Sequence, residues 1–434
     1  MDQPTKENLL RGIRRWDLVA ILVNAIIGAG IFGLPSKVYD HVGIYSLFAF
    51  IACALLIGLI ILCFAEVSSR FEETGGTYLY ARAAFGPVIG FEIGWLIWLQ
   101  RLMAFAAISN VLIAYLSFLW PAAGSGIWRS TIITAITASI CLINIRSVRG
   151  TALVINAFTI CKLASVLLFV LVGLFFIEPQ NYSFQELPGL GEISASMLLV
   201  VFAFAGIDVA VVSAGEIDQP RRNLPFAMFT ALGVATLVYT LIQFVCIGTL
   251  PGLATSEKPL ADAGNRFLGS GGALAIAVGA IISSTGALAT VGLAAPRSLF
   301  ALAEQGQFPR FLSKTHRQYH TPHIAILLSS AAMIVISIFG TFAYALKVNA
   351  MIGLINYSTV CLAMPILRRK NNVRPAMFMV PGGKLVPAAA LIVCLWVLMN
   401  STWVETRDLG LAAVAGLLIY LCYRLWQRRA SDQS

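Results

Sequence analysis

The sequence predicts an all-α integral membrane protein of about twelve spanning helices, arranged as two five-helix blocks of opposite polarity followed by two further helices. Three observations carry this prediction. Of 434 residues, 59% are hydrophobic and 12% charged, whereas water-soluble domains carry about 25% charged residues. About twelve apolar runs approach or exceed the roughly 20 residues that cross a bilayer. The first and sixth of these runs are each interrupted by glycine and small residues at comparable places.

The runs lie near 18–38, 45–67, 88–119, 126–144, 152–177, 193–214, 225–249, 271–300, 323–340, 344–366, 386–403 and 409–427. They divide the chain into a tail (1–16), a first block (17–180), a second block (190–370), two additional helices (384–428) and a last tail (429–434). An odd number of spans per block makes the second block enter the membrane with opposite polarity, the inverted-repeat plan in which a site lies at mid-membrane between the repeats.

The net charge of +10 does not point to nucleic acid, because the basic residues sit in alternating loops. One set holds Lys6, Arg11, Arg14 and Arg15, then Arg70 and Arg82, Arg146 and Arg149, Arg221 and Arg222, Arg310, Lys314 and Arg317, Arg368 to Lys370 with Arg374, and Arg424, Arg428 and Arg429; the opposite set carries few, among them Arg129, Lys258, Arg266 and Arg407. By the positive-inside rule both termini are cytoplasmic. All eight cysteines fall inside the runs, so they read as free and buried and not as an extracellular disulfide framework.

The first run has no charge from 18 to 36, yet it reads Ile27-Gly28-Ala29-Gly30-Ile31-Phe32-Gly33-Leu34-Pro35 in its middle. Glycine and proline least support a continuous helix. In hydrocarbon an opened backbone survives only where it lines a buried or watery cavity, so the break marks a small-molecule or ion site. Small residues placed for close helix packing are the plainer alternative. Gly28, Gly30 and Gly33 also spell G-x-G-x-x-G, but the dinucleotide fingerprint needs a preceding strand and an acid about 20 residues on. Here the preceding run is helix-length and 41–65 hold no Asp or Glu, which excludes it. No small-residue cleavage site follows the run, so it is a retained span and not a signal peptide.

After the second run, Glu66 and Arg70 stand four apart on one helix face, where they are expected to pair at a solvated helix end. The third run carries Trp95, Trp98, Gln100 and Arg101. An arginine so deep faces the protein interior or a cavity, either to meet a substrate carboxylate or to balance an acid on another helix. The fifth run has a single charge, Lys162, roughly 15 Å along the helix axis. Burial disfavours its ammonium unless carbonyls or an acid hold it, so it is a proton site, a fixed cation or a structural lysine. The sixth run repeats the theme of the first: Val201-Phe202-Ala203-Phe204-Ala205-Gly206-Ile207-Asp208 places an acid just past small residues and a glycine. In the eighth run the hydroxyls of Ser283, Ser284 and Thr285 either face the first break or back-bond to helix carbonyls.

These landmarks together resemble the amino acid–polyamine–organocation superfamily of permeases. The matching pieces are G-A-G-I at 28–31, G-G-T-Y-L-Y at 75–80, F-A-F-A-G-I-D at 202–208, P-R-R-N-L-P at 220–225 and the proline–arginine segment 296–312 with its A-L-A-E-Q-G core. The resemblance implies a LeuT-type five-plus-five inverted repeat and alternating access in the plasma membrane, a bacterial inner membrane. It implies that the main chain of Ile27, Gly28, Ala29, Gly30 and Ile31 holds an amino acid's carboxylate, which fits the anion preference of a helix N-terminus. The substrate-binding stretch Phe202, Ala203, Phe204, Ala205 and Gly206 would meet the ammonium through the carbonyls freed at Phe202, Ala203 and Ala205, with Phe202 as the gating lid. Lys162 matches a fifth-span lysine that stands in for a sodium ion and links spans one and eight in sodium-independent members, and Asp208 matches a titrating acid of proton-coupled ones.

Many relatives have a hydroxyl residue between the two glycines, where Ala29 offers only its backbone, and Arg101 is not a general family feature. Two buried cations oppose basic substrates in a low-dielectric cavity, so the expected substrate is a neutral or acidic amino acid, moved with a proton or against a counter-substrate. No cofactor or metal is implied. Sodium symport is the alternative within the class, and Lys162 argues against it. An intramembrane enzyme needs clustered His, Asp, Cys or Ser within the spans, but all four histidines lie in loops. A sensor or channel lacks a soluble sensory domain or a ring-forming charge pattern.

Overall fold

A computed structural model describes residues 13–71, 76–146, 162–184, 186–208, 217–370 and 374–431. The expectations for the first twelve residues, 72–75, 147–161 (with Cys161), 209–216 and the last three residues lie outside these, as does the side chain of Ala29. The described chain is helical: α1 (Arg15–Ile26), α2 (Leu34–Val42), α3 (Ser46–Ser68), α4 (Gly76–Phe85), α5 (Pro87–Leu119), α6 (Gly126–Arg146), α7 (Lys162–Phe176), α8 (Leu190–Ala203), α9 (Pro220–Thr249), α10 (Pro259–Glu304), α11 (His323–Phe339), α12 (Phe342–Leu367), α13 (Leu385–Leu398) and α14 (Trp403–Ser431). Each apolar run meets a helix. Among the described residues seven helical stretches are long and apolar enough to cross a membrane, while α7, α8, α11 and α13 are apolar but shorter.

The outer faces of the helices are apolar, with Leu55 69%, Leu237 62% and Ile392 68% exposed. A large exposed apolar surface marks contact with lipid or a partner, and on helices of this length lipid is the solvent. Inside, α5 is the central element, packed against α4, α10, α11 and α12, while α9 lies against α1 and α3. Small residues bring the helix backbones close. A Cβ at Gly94 of α5 would stand 2.7 Å from Leu302 of α10, and one at Gly279 of α10 would collide with Ser165 of α7.

The start of α1 is fastened to the chain that follows the sixth run. Ile13 and Ile217 form a parallel bridge, in which the Asp218 N–H donates to Ile13 O at 3.0 Å. The Arg15 guanidinium lies 3.6 Å from the Phe226 ring centre, and Trp16 meets the same ring edge-on at 5.6 Å.

Two expectations are corrected here. Glu66 is not at a solvated helix end but is fully buried. It accepts from Arg368 Nε and Nη2 at 2.6 Å each, from the Val380 N–H at 2.8 Å and from Arg70 at 3.4 Å. Arg70 also donates to Leu367 O and Arg374 O. The end of α3 is thus locked to the end of α12 and to the chain leading into α13, because a buried carboxylate is tolerated only when its lone pairs are all answered. Among the cysteines, Cys422 is exposed on α14 whereas the other six described are buried and free. α14 packs on the body along one face only, and Cys422 is on the other.

Candidate functional site

The site is built where two helices lose their winding. α1 ends at Ile26; the Gly28 N–H turns back to Ile26 O at 2.6 Å, Gly28 itself is extended (φ −89°, ψ −172°), and a 3-10 turn covers Ala29–Phe32. Gly33 and Pro35 then open α2. The first N–H groups of such a turn have no intra-turn acceptor, which leaves those of Ala29 and Gly30 free of backbone partners among the described residues. α8 ends at Ala203, and the chain passes through turns to Asp208, with Gly206 at φ +108°.

The two openings touch. A Cβ at Gly30 would collide with the Phe202 ring, and one at Gly206 would stand 2.9 Å from Ala25 O. Gly206 is doubly required, since its positive φ also disfavours a side chain. The Tyr239 hydroxyl of α9 reaches both ends at once, 2.6 Å from Ile26 O and 2.9 Å from Ala203 O. It carries one proton, so it donates to one carbonyl at a time. Phe202 O accepts the Ala205 N–H at 3.2 Å. The carbonyls freed by the second break are therefore partly answered, each keeping one lone pair.

Between the openings lies a cavity of about 350 Å³ lined by Gly28, Gly30, Ile31, Phe202, Ala203, Ala205, Gly206 and Asp208. α5 contributes one helix face to it, with Ile97, Gln100, Arg101, Ala104 and Ile108 at spacings of three and four. Lys162 also lines it. Its Nζ donates to Asn24 O at 2.9 Å and to Asn24 Oδ1, two residues ahead of the end of α1. Arg101 has Asp208 as its electrostatic partner but makes no ion-pair contact or hydrogen bond among the described residues.

The expected residues do not all converge. Ile27 is 1% exposed and Phe204 fully buried, and neither lines the cavity. Phe204 instead packs edge-on against Tyr239, with ring centres 5.4 Å apart, because successive side chains of a helical turn point about 100° apart. Thr285 back-bonds to Ile281 O at 2.8 Å and lies off the cavity. The Ser283 and Ser284 hydroxyls are buried without a partner, and only Ser283 lines the cavity. The Lys162 ammonium bonds to α1 and not to these α10 hydroxyls. Tyr239, Asn24 and Asn349 are site residues to which the sequence reading gave no role, and Gln100 was noted there only as a neighbour of Arg101. The asparagine in an otherwise apolar first run was the one visible signal among them.

Apolar helices, two of them opened onto one cavity, together with the family match and the transporter relatives that follow, define a membrane transporter. The chain belongs to the amino acid permease family, whose pattern matches residues 13–423, within the amino acid–polyamine–organocation superfamily. Over nearly its whole length it is similar to three proteins of Bacillus subtilis (strain 168). With the methylthioribose transporter it shares 27% identity, covering 97% of this chain and 95% of the relative. With the branched-chain amino acid permease BcaP the identity is 27%, covering 96% and 94%. With the serine/threonine exchanger SteT it is 28%, covering 95% and 96%.

Proposed function

We propose that the chain is a sodium-independent secondary transporter of amino acids, proton-coupled or exchanging, which carries neutral or acidic substrates by alternating access. The observation that carries the reading is the meeting of two opened helices across one cavity, with a lysine ammonium bound to the first of them. A cavity of about 350 Å³ is within the usual size of small-molecule sites. The free N–H groups of Ala29 and Gly30 are anion donors for the carboxylate. The remaining lone pairs at Phe202, Ala203 and Ala205 take the ammonium, and Phe202 is the lid. Lys162 holds the position of a coupling cation, and it and Asp208 are the residues assigned to proton coupling or cation mimicry.

In this reading the chain crosses the plasma membrane twelve times with both termini in the cytoplasm. Blocks 17–180 and 190–370 form the inverted pair, and 384–428 add the last two spans. Sodium symport is the second reading, favoured by the unpartnered Ser283 and Ser284 hydroxyls. The ammonium of Lys162 opposes another cation in so apolar a setting. Two amino acid carriers among the relatives favour a zwitterion over an uncharged thiosugar.

Counterflow in proteoliposomes tests this, using a panel of amino acids and methylthioribose, with sodium or choline outside and at two pH values. Exchange of amino acids that survives choline supports the proposal. Uptake confined to methylthioribose, or lost without sodium, overturns it.

A further inference from the structure

Resting on that reading of the site, we infer that the corner of the cavity formed by Arg101, Asp208 and Asn349 selects substrates whose side chain ends in a carboxamide. All three residues line the same cavity as the two helix breaks. Arg101 and Asp208 carry opposite charge and are electrostatically coupled, yet no contact within 4.0 Å joins them among the described residues, so the pair leaves a gap. Asn349 is 2% exposed. Its Nδ2 donates to the Gln100 backbone carbonyl at 2.7 Å, beside Arg101, while its Oδ1 is buried without any donor.

The corner therefore asks for one acceptor, towards the guanidinium, and for one donor, towards the Asp208 carboxylate, and it has room for a second donor once a turn of the Asn349 side chain uncovers its shielded Oδ1. A carboxamide offers one carbonyl oxygen and two N–H groups, which answers all three. A carboxylate offers acceptors only; it leaves Asn349 unanswered and faces Asp208 with like charge. An ammonium offers donors only and meets Arg101 and Lys162. An aliphatic side chain desolvates the corner and answers none of it, and a site built around buried polar groups rejects ligands that leave them unpaired. Asn356 Nδ2 holds Gln100 Oε1 at 3.0 Å, so the α5–α12 contact that carries Asn349 is itself fixed.

The experiment is competition against radiolabelled glutamine counterflow in proteoliposomes holding the wild-type protein. The competitors are unlabelled glutamine, asparagine, glutamate, norleucine and lysine. Glutamine or asparagine is expected to compete at least tenfold better than glutamate, norleucine or lysine. Arg101→Met is expected to reduce the preference for glutamine over norleucine tenfold or more. Should the variant fail to fold, thermal stabilisation of the purified wild-type protein by glutamine against norleucine gives a second reading, and glutamine is expected to raise Tm more. Norleucine or glutamate matching the carboxamides in both wild-type measurements overturns the inference while leaving amino acid transport intact. If no amino acid is exchanged or stabilises the protein, the transport reading fails as well.

Discussion

The Tyr239 hydroxyl lies 2.6 Å from the carbonyl oxygen of Ile26, the residue at which α1 stops being a helix. The same oxygen atom is 2.9 Å from Ala203 O, where α8 stops. One side chain of α9 thus bridges the two main-chain ends, Ile26 O having the Gly28 N–H besides. Tyr239→Phe keeps the ring and removes that bond. Loss of a buried donor leaves a carbonyl unanswered at about 1–3 kcal/mol. The variant is expected to melt at lower temperature and to transport about tenfold more slowly. Unchanged melting and counterflow would show the hydroxyl to be incidental.

Lys162 is expected to tie proton binding to the position of α1 through Asn24. Lys162→Met should exchange substrate at a reduced rate that no longer varies with pH. A pH profile parallel to that of the wild type excludes this role.

Phe202 and Phe204 are two residues apart and separate cleanly by environment. Phe202 lines the cavity against Gly30, whereas Phe204 is in the core against Tyr239. Phe202→Ala should raise the half-saturating substrate concentration with a smaller loss of stability than Phe204→Ala. Phe204→Ala should cost about 3–5 kcal/mol of stability, as large-to-small core changes do. Isotherms and melting curves of the two proteins decide it, and equal effects on affinity would remove the lid assignment.

Gly206→Ala adds a methyl group 2.9 Å from Ala25 O at φ +108°. Transport is expected to fall below detection while the protein still reaches the membrane, which surface expression and counterflow measure together. Wild-type rates in this variant would mean that the two breaks do not need to touch.

Glu66→Gln tests the buried cluster at the end of α3. The amide loses its charge-assisted bonds to Arg368, each worth about 1.5–3 kcal/mol, so the melting temperature should drop clearly. Arg368→Met in the same background should then add little, because the partner is already gone.

Much of this was legible in the chain itself. Several glycines and a proline clustered in one run least support a continuous helix, so Gly28, Gly30, Gly33 and Pro35 announced the first opening, and Gly206 among small residues the second. Lys162 stood out as the lone charge in its run. Tyr239 gave no such signal, because a tyrosine within an apolar helix is commonplace and its two acceptors lie 213 and 36 residues away in the chain. Glu66 misled for a related reason: helix-end charges are mostly solvated, and its main partner is 302 residues distant. Local spacing also failed to separate Phe202 from Phe204, or Ser283 from Thr285, since which face of a helix meets a cavity is decided by the neighbours.

The bridge between Ile13 and Ile217 has a bearing on how the protein is handled. Ile13 and the residues after it are stitched to a segment more than two hundred positions further on, so they work as a hasp. Trimming the chain just before Trp16, or forcing a rigid fusion onto that spot, would unfasten the start of α1 from the chain that leads into α9. Preparations shortened there would be expected to sample positions of those two segments that the full-length molecule keeps shut.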